Sequence, residues 1–550
     1  MRRFRKNIVH IRLLKMLYAF SFVFILLVGR LYWIQIKNHH SLKVQALKQR
    51  GKEISLYPNR GIIYDKNLIP LTNREKINTM FVSKKYIKNN PNLKKFIIEN
   101  SQLNEDELNN RIESRGEIID IPLSSTVGGI NNKEILITDR ILRYGKKNIL
   151  SHVIGYINKS ENRGKAGIEK VYDDILKHGE DHLLYIELDK RENIILGGEY
   201  IVSQKTNPAN PGGVKLTIDY HIQKSVEKIL DKEEKNGGVI VAEVETGDIV
   251  AMASRPNFNQ EDIDEYLNRE DMVLYNKAIQ VAYPPGSLFK TIVLLTALEE
   301  NVSYVNKTFY CKGYEQINNV TIKCNNIGGH GYITLKEAFS KSCNSAFIQL
   351  GQELGSSKII NMAKRLGFGQ KINIGLLEEV EGNLPSGREL KGPSIGNISI
   401  GQGSIEATPL QITNMMMIVA NKGIRKGMSI VDGITTSNGY MVKKFNREKE
   451  KRIISEENCE ILHDYLVDVI LSGTARNMDL TDLGNAGGKT GSAQAVLNRR
   501  ETIHGWFSGF WPAGEPKYVI TVFIEGEGSG SRGAVSIFEK IVKEVYRINR

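Results

Sequence analysis

The sequence is organised around one stretch, Tyr283-Pro-Pro-Gly-Ser-Leu-Phe-Lys290. Its Pro-Pro-Gly turn is unsuited to a helix interior, and the apolar residues that follow predict a helix that begins about Ser287. Ser287 and Lys290 are three positions apart, so they share one face of that helix and place a hydroxyl beside an amine. The free N–H groups of a helix N-terminus also suit a developing oxyanion. Ser287 is therefore a candidate nucleophile, and its simplest alternative role is that of a helix N-cap.

Two further motifs lie downstream. Ser342-Cys343-Asn344 falls within helical spacing in residues 335–354, and Lys489-Thr490-Gly491-Ser492 falls in a Gly-rich, strand-like stretch. The order Ser-x-x-Lys, Ser-x-Asn, Lys-Thr-Gly is typical of penicillin-binding proteins and serine β-lactamases. Three motifs in this order, each in a suitable context, argue against coincidence.

The first two motifs predict acyl transfer in two steps through an ester on Ser287. Lys290 is the nearest base, and it must be neutral to accept the serine proton. A second cation, Lys489, would favour neutral Lys290 through like-charge repulsion. Ser342 can relay a proton, and Asn344 can hold a substrate amide by paired hydrogen bonds.

The third motif predicts a strand that binds substrate. Gly491 leaves room for a substrate backbone, so this edge can bind a peptide by strand addition. The hydroxyls of Thr490 and Ser492 are expected to hold the terminal carboxylate of that peptide. The backbone N–H of Ser287 and one that follows Gly491 would form the oxyanion hole.

Strand and helix patterns around these motifs predict an α+β layer fold for the C-terminal part. Two strand-like runs flank a hairpin turn, and three more follow near the C-terminus with apolar helices between and after them. The strand-like runs are 239–244, 249–254, 486–496, 504–511 and 518–525, and the helices are 410–420 and 535–546.

The chain has 550 residues, a net charge of +13, 41% hydrophobic residues and 25% charged residues. This composition predicts a sizeable core and roughly three to four domain-sized units. The basic residues are spread along the chain without a nucleic-acid motif, so no nucleic-acid partner is predicted. A basic exterior instead suits anionic wall polymers or lipid headgroups. Four cysteines are too few for a disulfide framework.

The N-terminus predicts a membrane anchor. Basic residues precede an apolar run at 16–29, and no small-x-small cleavage site follows it. With Lys15 and Arg30 snorkelling, residues 13–36 reach the spanning length of roughly 20 residues. Tyr32 and Trp33 would lie at the membrane interface. We therefore predict a short basic cytoplasmic tail (1–12), one uncleaved anchor (13–36) and a catalytic part outside the membrane.

Residues 37–210 carry weaker signals. The plainest interpretation of Arg60-Gly-Ile-Ile-Tyr-Asp65 is a strand whose Arg60 and Asp65 form a structural ion pair. Apolar spacing predicts an amphipathic helix from Ile168 that ends at Gly179. The composition of residues 207–213 is that of a linker, which places a domain boundary after residue 210.

Together these motifs make the chain resemble class B penicillin-binding proteins, the monofunctional peptidoglycan transpeptidases. The resemblance covers nearly the whole chain. It implies an elongated pedestal domain of dimerisation type (37–210), followed by a transpeptidase domain (211–550) with an antiparallel five-stranded sheet, helices on both faces and a helical subdomain. Besides the three motifs, it rests on Arg60-Gly-x-Ile-x-Asp65, Gly167-Ile-Glu-x-x-Tyr172, Gly401-Gln-Gly403 and Gly473-Thr-Ala475. Ser492 replaces the commoner Thr but keeps the hydroxyl.

The resemblance also implies a function. The substrate would be the D-Ala-D-Ala end of a stem peptide, the acceptor an amine of a neighbouring stem, and β-lactams would acylate the same serine without any cofactor. Family members usually work with a polytopic lipid-linked-glycan polymerase and with division or elongation proteins. A membrane-anchored D,D-carboxypeptidase and a β-lactam-hydrolysing or β-lactam-sensing relative are the alternatives.

Three cysteines and one histidine suggest a metal site. Cys311, Cys324 and Cys343 cluster near the active-site motifs, with His330 among them. Thiolates and imidazole are ligands that Zn²⁺ prefers, and the insert at 305–332 has little apolar content to hold itself together. A structural zinc held by Cys311, Cys324 and His330, with Cys343 or a carboxylate as the fourth ligand, is therefore one hypothesis, although the spacing matches no compact zinc-finger pattern. The alternatives are a Cys311–Cys324 disulfide, Cys343 as an apolar filler and His330 as a turn residue.

Overall fold

The structure is a computed structural model. It describes residues 2–39, 41–42, 45, 51–55, 60–101, 103–113, 118–124, 135–145, 148–159, 161–177, 181–187, 201–205, 211–497, 500–527 and 532–550. Of the linker predicted at 207–213, residues 207–210 lie outside these ranges, as does the predicted helix end at Gly179.

The N-terminal helix spans Arg2–Tyr32 and continues as one π-helical turn, Trp33–Lys37. Within it, the stretch Ile8–Lys37 is long and apolar enough to cross a membrane, and it is the one such helix in the described part of the chain. At 1.5 Å per residue this stretch is about 45 Å long, which exceeds the hydrocarbon thickness of about 30 Å. The predicted anchor at 13–36 lies inside it.

Contacts within the chain define two compact units. The first comprises Met1–Asn59, Lys76–Leu142 and Glu180–Thr206, and the second comprises Arg60–Glu75, Arg143–Gly179 and Asn207–Arg550. Residues 60–75 and 143–179, which the sequence analysis assigned to the pedestal, thus group with the C-terminal part. The chain passes between the units several times rather than once after residue 210.

The first unit contains two three-stranded sheets. One has the order Ile118–Pro122, Glu75–Ser83, Ile135–Leu142, and the other joins Gly51–Ser55, Asp181–Glu187 and Ile201–Lys205. Buried side chains of the first sheet pack with those of three helices, for example Met80 and Val82 with Ile97 and Leu108. These helices are Lys84–Lys88, Pro91–Asn100 and Glu105–Glu113.

Five antiparallel strands form the central sheet of the second unit. They are β1 (Gly237–Glu243), β2 (Ile249–Arg255), β3 (Gly487–Leu497), β4 (Arg500–Trp511) and β5 (Tyr518–Ile524). Their order is β2-β1-β5-β4-β3, so β3 lies at one edge. The five predicted strands and the α+β layer fold are confirmed, with small shifts at the strand ends.

Helices cover both faces of this sheet. On one face, Phe507 of β4 packs against Phe538 of the C-terminal helix, with ring centroids 4.6 Å apart. On the other face, Thr413 donates a 2.9 Å hydrogen bond to Thr521 of β5. Helices of the second unit include α1 (Tyr220–Glu233), α2 (Lys290–Glu300), α3 (Leu335–Ser340), α4 (Asn344–Leu354), α5 (Pro409–Ala420), α6 (Glu456–Leu471) and α7 (Arg532–Asn549).

Side-chain caps explain where two of these helices begin. The Asp219 carboxylate accepts the backbone N–H groups of His221 and Ile222 at the start of α1. Thr408 and Gln411 form a capping box at the start of α5, where Pro409 occupies the first turn.

Smaller elements complete the second unit. The amphipathic helix predicted from Ile168 is interrupted at Tyr172 and forms two short helices, Gly167–Val171 and Asp173–Leu176. A four-stranded sheet has the order Met441–Lys444, Val431–Thr436, Pro211–Leu216, Ile63–Tyr64. The insert contains the strand pairs Thr308–Cys311 with Gly331–Thr334 and Tyr314–Ile317 with Val320–Lys323. Two further helices are Ser356–Arg365 and Ser394–Ser399.

Two buried arginines share one buried glutamate in the second unit. Arg60 and Arg143 each donate a 2.7 Å hydrogen bond from Nε to a different carboxylate oxygen of Glu169. Tyr144 donates a third, 3.0 Å long. Burial alone would raise the pKa of Glu169, but Arg143 and Arg60 outweigh it and hold that pKa below its ordinary value.

The predicted ion pair between Arg60 and Asp65 is wrong. Arg60 pairs with Glu169 and Asp173, whereas Asp65 accepts backbone N–H groups of the turn that follows it. Its second oxygen accepts the backbone N–H of Tyr220 at the start of α1. An aspartate close to an arginine in sequence thus serves as a turn cap, because local backbone donors were nearer than the guanidinium.

We expect Glu169→Gln to destabilise the protein by about 3–5 kcal/mol, because it leaves buried arginine charge without compensation. Chemical denaturation of the full chain in non-ionic detergent measures this change. Glu353→Gln, which breaks an ion pair between exposed side chains, is the matched control and should cost at most about 1 kcal/mol. Equal losses of stability in the two variants would contradict a special contribution from the buried ion pairs of Glu169.

Candidate active site

The predicted nucleophile lies in a 3-10 turn, Gly286–Phe289, and α2 begins only at Lys290. This differs slightly from the helix start predicted at Ser287. The backbone of Ser492 lies very close to this turn, because a Cβ on Gly286 would lie 2.4 Å from the carbonyl oxygen of Ser492. The backbone N–H of Gly286 also donates a 2.9 Å hydrogen bond to the carbonyl of Gly401. Glycine is therefore required beside the serine, where φ is +55°.

Side chains from β4 and from the residue that follows β5 hold the residues that precede this turn. The indole Nε1 of Trp506 donates a 3.1 Å hydrogen bond to the carbonyl of Pro284. The hydroxyl of Tyr283 donates a 2.7 Å hydrogen bond to Glu525, and Lys277 forms an ion pair with the same carboxylate. The nucleophile turn is thus fastened to the sheet at two points.

The Ser-Cys-Asn motif lies at a break between two helices. The helical spacing of residues 335–354 predicted one helix, but α3 ends at Ser340 and α4 begins at Asn344. Ser342 has a φ of +56°, a left-handed conformation that is uncommon outside glycine. Such strain often marks functional residues, and here it turns both Ser342 and Asn344 toward α2.

Lys290 joins the first two motifs. Its Nζ donates hydrogen bonds of 2.7 Å to the carbonyl of Ser342, 3.2 Å to the Ser342 hydroxyl and 2.7 Å to Asn344 Oδ1. The Ser287 hydroxyl makes no hydrogen bond among the described residues. Catalytic hydrogen bonds often tighten only when substrate is bound, so this geometry leaves Ser287 as the candidate nucleophile.

Lys489 and the residues after it lie on the edge strand β3. Lys489 is fully buried, and Gly491 is so close to Pro285 that a Cβ would lie 2.8 Å from its carbonyl oxygen. Thr490 shares a 2.6 Å hydrogen bond with the hydroxyl of Thr474. Ser492 is exposed on this edge. The third motif therefore runs directly beside the nucleophile turn.

The two lysines share an unusual electrostatic environment. Neither Nζ lies within ion-pair distance of a carboxylate among the described residues, and each faces an aromatic ring, Phe347 for Lys290 and Phe339 for Lys489. Burial lowers the pKa of Lys290 to about 8. Burial, followed by the charge of Lys290, holds the pKa of Lys489 well below its ordinary value.

These shifts refine the predicted division of roles. The protein disfavours two charged amines side by side, as the sequence predicts, but the pKa of Lys489 is lowered as well as that of Lys290. An anionic group of the substrate next to Lys489 would raise its pKa and so leave Lys290 as the neutral amine.

A family model described as the penicillin binding protein transpeptidase domain matches residues 237–546. The chain belongs to this family. The chain is 29% identical to stage V sporulation protein D of Bacillus subtilis over 98% of its length and 85% of that relative. It is 27% identical to the peptidoglycan D,D-transpeptidase MrdA of Acinetobacter baumannii over 93% of its length and 84% of that relative.

A solved structure also has this fold. The penicillin-binding protein PBP2 from Helicobacter pylori superposes with a TM-score of 0.69 at 23% identity, covering 90% of this chain and 99% of that one. At this identity the likeness concerns the fold. It agrees with the penicillin-binding α+β architecture predicted from the motifs.

The four predicted metal ligands come together, three from the insert and Cys343 from the break between α3 and α4. The ligand atoms of Cys311, Cys324, His330 and Cys343 lie within 4.8 Å of one another. Cys324 Sγ is 3.8 Å from Cys343 Sγ and 3.7 Å from His330 Nδ1. A tetrahedral zinc with bonds of about 2.1–2.3 Å separates its ligand atoms by about 3.5–3.8 Å, so these donors fit such an ion.

The chemistry of the cluster suits a cation as well. All three thiols are buried and unpaired by disulfides, and His330 is half-buried. The hydrogen bond between Cys324 and Cys343 lowers the pKa of Cys324 and raises that of Cys343. The cluster thus offers three thiols and one imidazole, the kinds of donor that hold Zn²⁺ in structural sites.

Two residues of the site were not predicted as site residues. Lys323 accepts a 3.0 Å hydrogen bond from Asn344 Nδ2 at its backbone carbonyl. Thr474 contacts Thr490, although its motif, Gly473-Thr-Ala475, contributed to the family resemblance. A carbonyl contact such as that of Lys323 leaves no signal in the residue type, since every residue has that acceptor.

We expect the rate of penicillin acylation to rise with pH between about 7 and 9, because the neutral form of Lys290 increases as pH passes its pKa of about 8. Stopped-flow measurement with a chromogenic β-lactam gives this profile. Lys290→Arg should abolish acylation at every pH, since arginine keeps its proton. A flat profile, or near wild-type acylation by Lys290→Arg, would contradict the assignment of Lys290 as base.

Proposed function

We propose that this chain is a serine peptidoglycan D,D-transpeptidase, inhibited covalently by β-lactams. The observation that carries the proposal is the convergence of Lys290 Nζ on Ser342 and Asn344, one helical turn from Ser287 and beside the Lys489 strand. The A. baumannii relative is named a peptidoglycan D,D-transpeptidase, which supports the same reaction.

In the first step, Ser287 Oγ attacks the carbonyl carbon between the two D-Ala residues of a stem peptide. The serine proton passes to neutral Lys290, directly or through Ser342. The oxyanion is held by the backbone N–H of Ser287 and one that follows Gly491. The C–N bond then breaks, an ester forms on Ser287, and D-Ala leaves with the proton that the base had accepted.

In the second step, an amine of a neighbouring stem peptide attacks the ester. Its proton passes to the same base, the ester bond breaks, and Ser287 regains its proton while a new amide forms. Asn344 holds an amide of the donor peptide. Thr490 and Ser492, with Lys489 charged by a nearby anion, hold the terminal carboxylate.

The membrane arrangement follows from the N-terminal helix. The basic residues at the start of the chain favour a cytoplasmic N-terminus, because positive charge is retained on that side. The catalytic unit would then lie outside the membrane, where its substrate is. The H. pylori PBP2 has been solved in complex with MreC, and we infer that this chain also acts with protein partners, including a polytopic glycan polymerase.

We expect fluorescent penicillin to label the wild-type protein and Ser303→Ala, an exposed serine, but not Ser287→Ala. Gel fluorescence followed by peptide mapping identifies the labelled residue. A label that persists on the Ser287→Ala variant would place the nucleophile elsewhere.

The transferase and carboxypeptidase functions differ in the acceptor. With a defined D-Ala-D-Ala stem peptide, a transpeptidase should form cross-linked product that increases with added amine, at the expense of the hydrolysed peptide. Mass spectrometry of the products measures the ratio. Hydrolysis alone at every amine concentration would favour the D,D-carboxypeptidase.

We also propose a structural Zn²⁺ held by Cys311, Cys324, His330 and Cys343. When bound, it would join the strands of the insert to the segment that carries Ser342 and Asn344. It would not enter the reaction, because a site with four protein ligands is closed to substrate. The competing proposal is a disulfide between Cys311 and Cys324.

Elemental analysis of protein purified without chelator should find roughly one zinc per chain, the content of a closed structural site. Cys324→Ser should lose the metal and lower the melting temperature. Cys459→Ser, a buried cysteine in α6 outside the cluster, should retain it. Metal-free protein with full penicillin binding would end the proposal, and a count of two free thiols after denaturation would support the disulfide.

A further inference from the structure

Helix α1 presents a row of lysines to solvent. Lys224, Lys228 and Lys232 are each exposed and are spaced four residues apart. Four residues advance a helix by about 6 Å, so the three ammonium groups lie along one face over about 12 Å. The proposed reaction does not use this face of α1.

The lysines of this row lack ion-pair partners for a specific reason. Glu227 and Asp231 are spaced to pair with Lys224 and Lys228 at i+3, but both carboxylates contact Arg255, at 3.2 and 2.6 Å. Across the described residues, none of the three lysines lies within ion-pair distance of a carboxylate. The row therefore keeps its full positive charge and is available to an anionic group.

A groove runs along this row between α1 and α7. Ile229 and Ile548 lie on its floor, and its far wall includes Lys543 and Arg547. The acidic residues of the groove are already neutralised, since Glu233 pairs with Lys540 at 2.5 Å and Glu544 with Arg547 at 2.6 Å. The groove thus combines an apolar floor with a net positive rim.

The groove continues into a cavity whose lining combines apolar side chains with the charged residues Arg74, Glu75, Lys224, Glu227, Lys228 and Asp231. Lys224 and Lys228 line both, and the cavity measures about 640 Å³, within the range of about 300–1,000 Å³ of ligand pockets. At the edge of the cavity, the guanidinium of Arg74 lies 4.5 Å from the centre of the Tyr220 ring. Its apolar lining is supplied by Leu71, Tyr144, Ile149, Ile154 and Tyr220.

We propose that the lysine row of α1 and this cavity together form a docking site for an acidic segment of a partner protein, with an apolar side chain of that segment in the cavity. Charge complementarity selects an acidic partner, because the unpaired lysines attract carboxylates and steer them to the groove. The cavity selects a peptide over a phosphodiester polymer or a lipid headgroup, because large apolar side chains in pockets are the usual anchors of protein interfaces.

The test uses the full chain in non-ionic detergent and a short fluorescein-labelled peptide that alternates glutamate pairs with single phenylalanines. Fluorescence anisotropy measures its dissociation constant. The combined variant Lys224→Glu, Lys228→Glu, Lys232→Glu should weaken binding by about tenfold or more. The matched control, Lys364→Glu, Lys371→Glu, Lys391→Glu, changes the net charge equally at exposed lysines elsewhere and should bind within about twofold of wild type.

A second pair of measurements tests the cavity. Gly145→Leu places a side chain at its wall, where a Cβ meets only the flexible end of Glu75 and φ is not positive. This variant should weaken binding of the phenylalanine peptide by about tenfold. It should leave unchanged the binding of a peptide that has alanine in place of phenylalanine. Circular dichroism melting and penicillin labelling show that each variant is folded.

Three results would overturn the proposal. Equal weakening in the two lysine variants would mean general charge attraction. Binding of polyphosphate, or of vesicles containing phosphatidylglycerol, that matches the peptide and does not depend on phenylalanine would mean a phosphate-binding face. Absence of peptide binding to wild type at low salt would mean that the face is only solvated.

Discussion

Two buried amines without a counter-ion are the constraint on which the active site depends. An ammonium group in the protein interior is costly unless it is paired, and neither Lys290 nor Lys489 contacts a carboxylate among the described residues. The protein replaces a salt bridge with neutral oxygens of Ser342 and Asn344 and with aromatic rings. A carboxylate would stabilise the lysines in their charged form, whereas burial without one lowers the pKa of Lys290 to about 8, so that a fraction of this amine is neutral and can accept a proton near neutral pH.

The site also depends on close approach of backbone to backbone. The nucleophile turn is held between β3 and the carbonyl of Gly401, with distances at Gly286 and Gly491 that leave no space for a Cβ. These contacts join segments that lie more than a hundred residues apart in sequence. Because the edge strand and the turn are packed this tightly, Ser287 has one fixed position relative to the Lys489 strand, as acyl transfer requires.

The features predictable from the sequence are those that depend on residue type and on the spacing of apolar residues. The strands of the sheet follow from apolar runs and turn residues. The roles of Ser287, Lys290 and Lys489 and the metal site remain predictions, while the structure places Lys290 against Ser342 and Asn344 and Cys324 near Cys343 and His330. Prediction from sequence failed where several groups compete for the same hydrogen-bond partner or backbone conformation. Asp65 took backbone donors instead of Arg60, and Ser342 adopted a left-handed backbone that broke a regular helical spacing. Each outcome depends on which distant group is nearest in the fold, and local sequence does not encode that.

Asn344 links Lys290 to the insert. Its Oδ1 accepts a hydrogen bond from Lys290, while its Nδ2 donates one to the carbonyl of Lys323, which directly precedes Cys324. One amide can satisfy both contacts only while the strand that ends at Lys323 keeps its position. The same strand end leads into the cluster of Cys324, His330 and Cys343, and Cys343 lies between Ser342 and Asn344 in the chain. Any group that fixes the cluster would therefore also fix the orientation of the Asn344 amide and, through it, the position of the Lys290 amine.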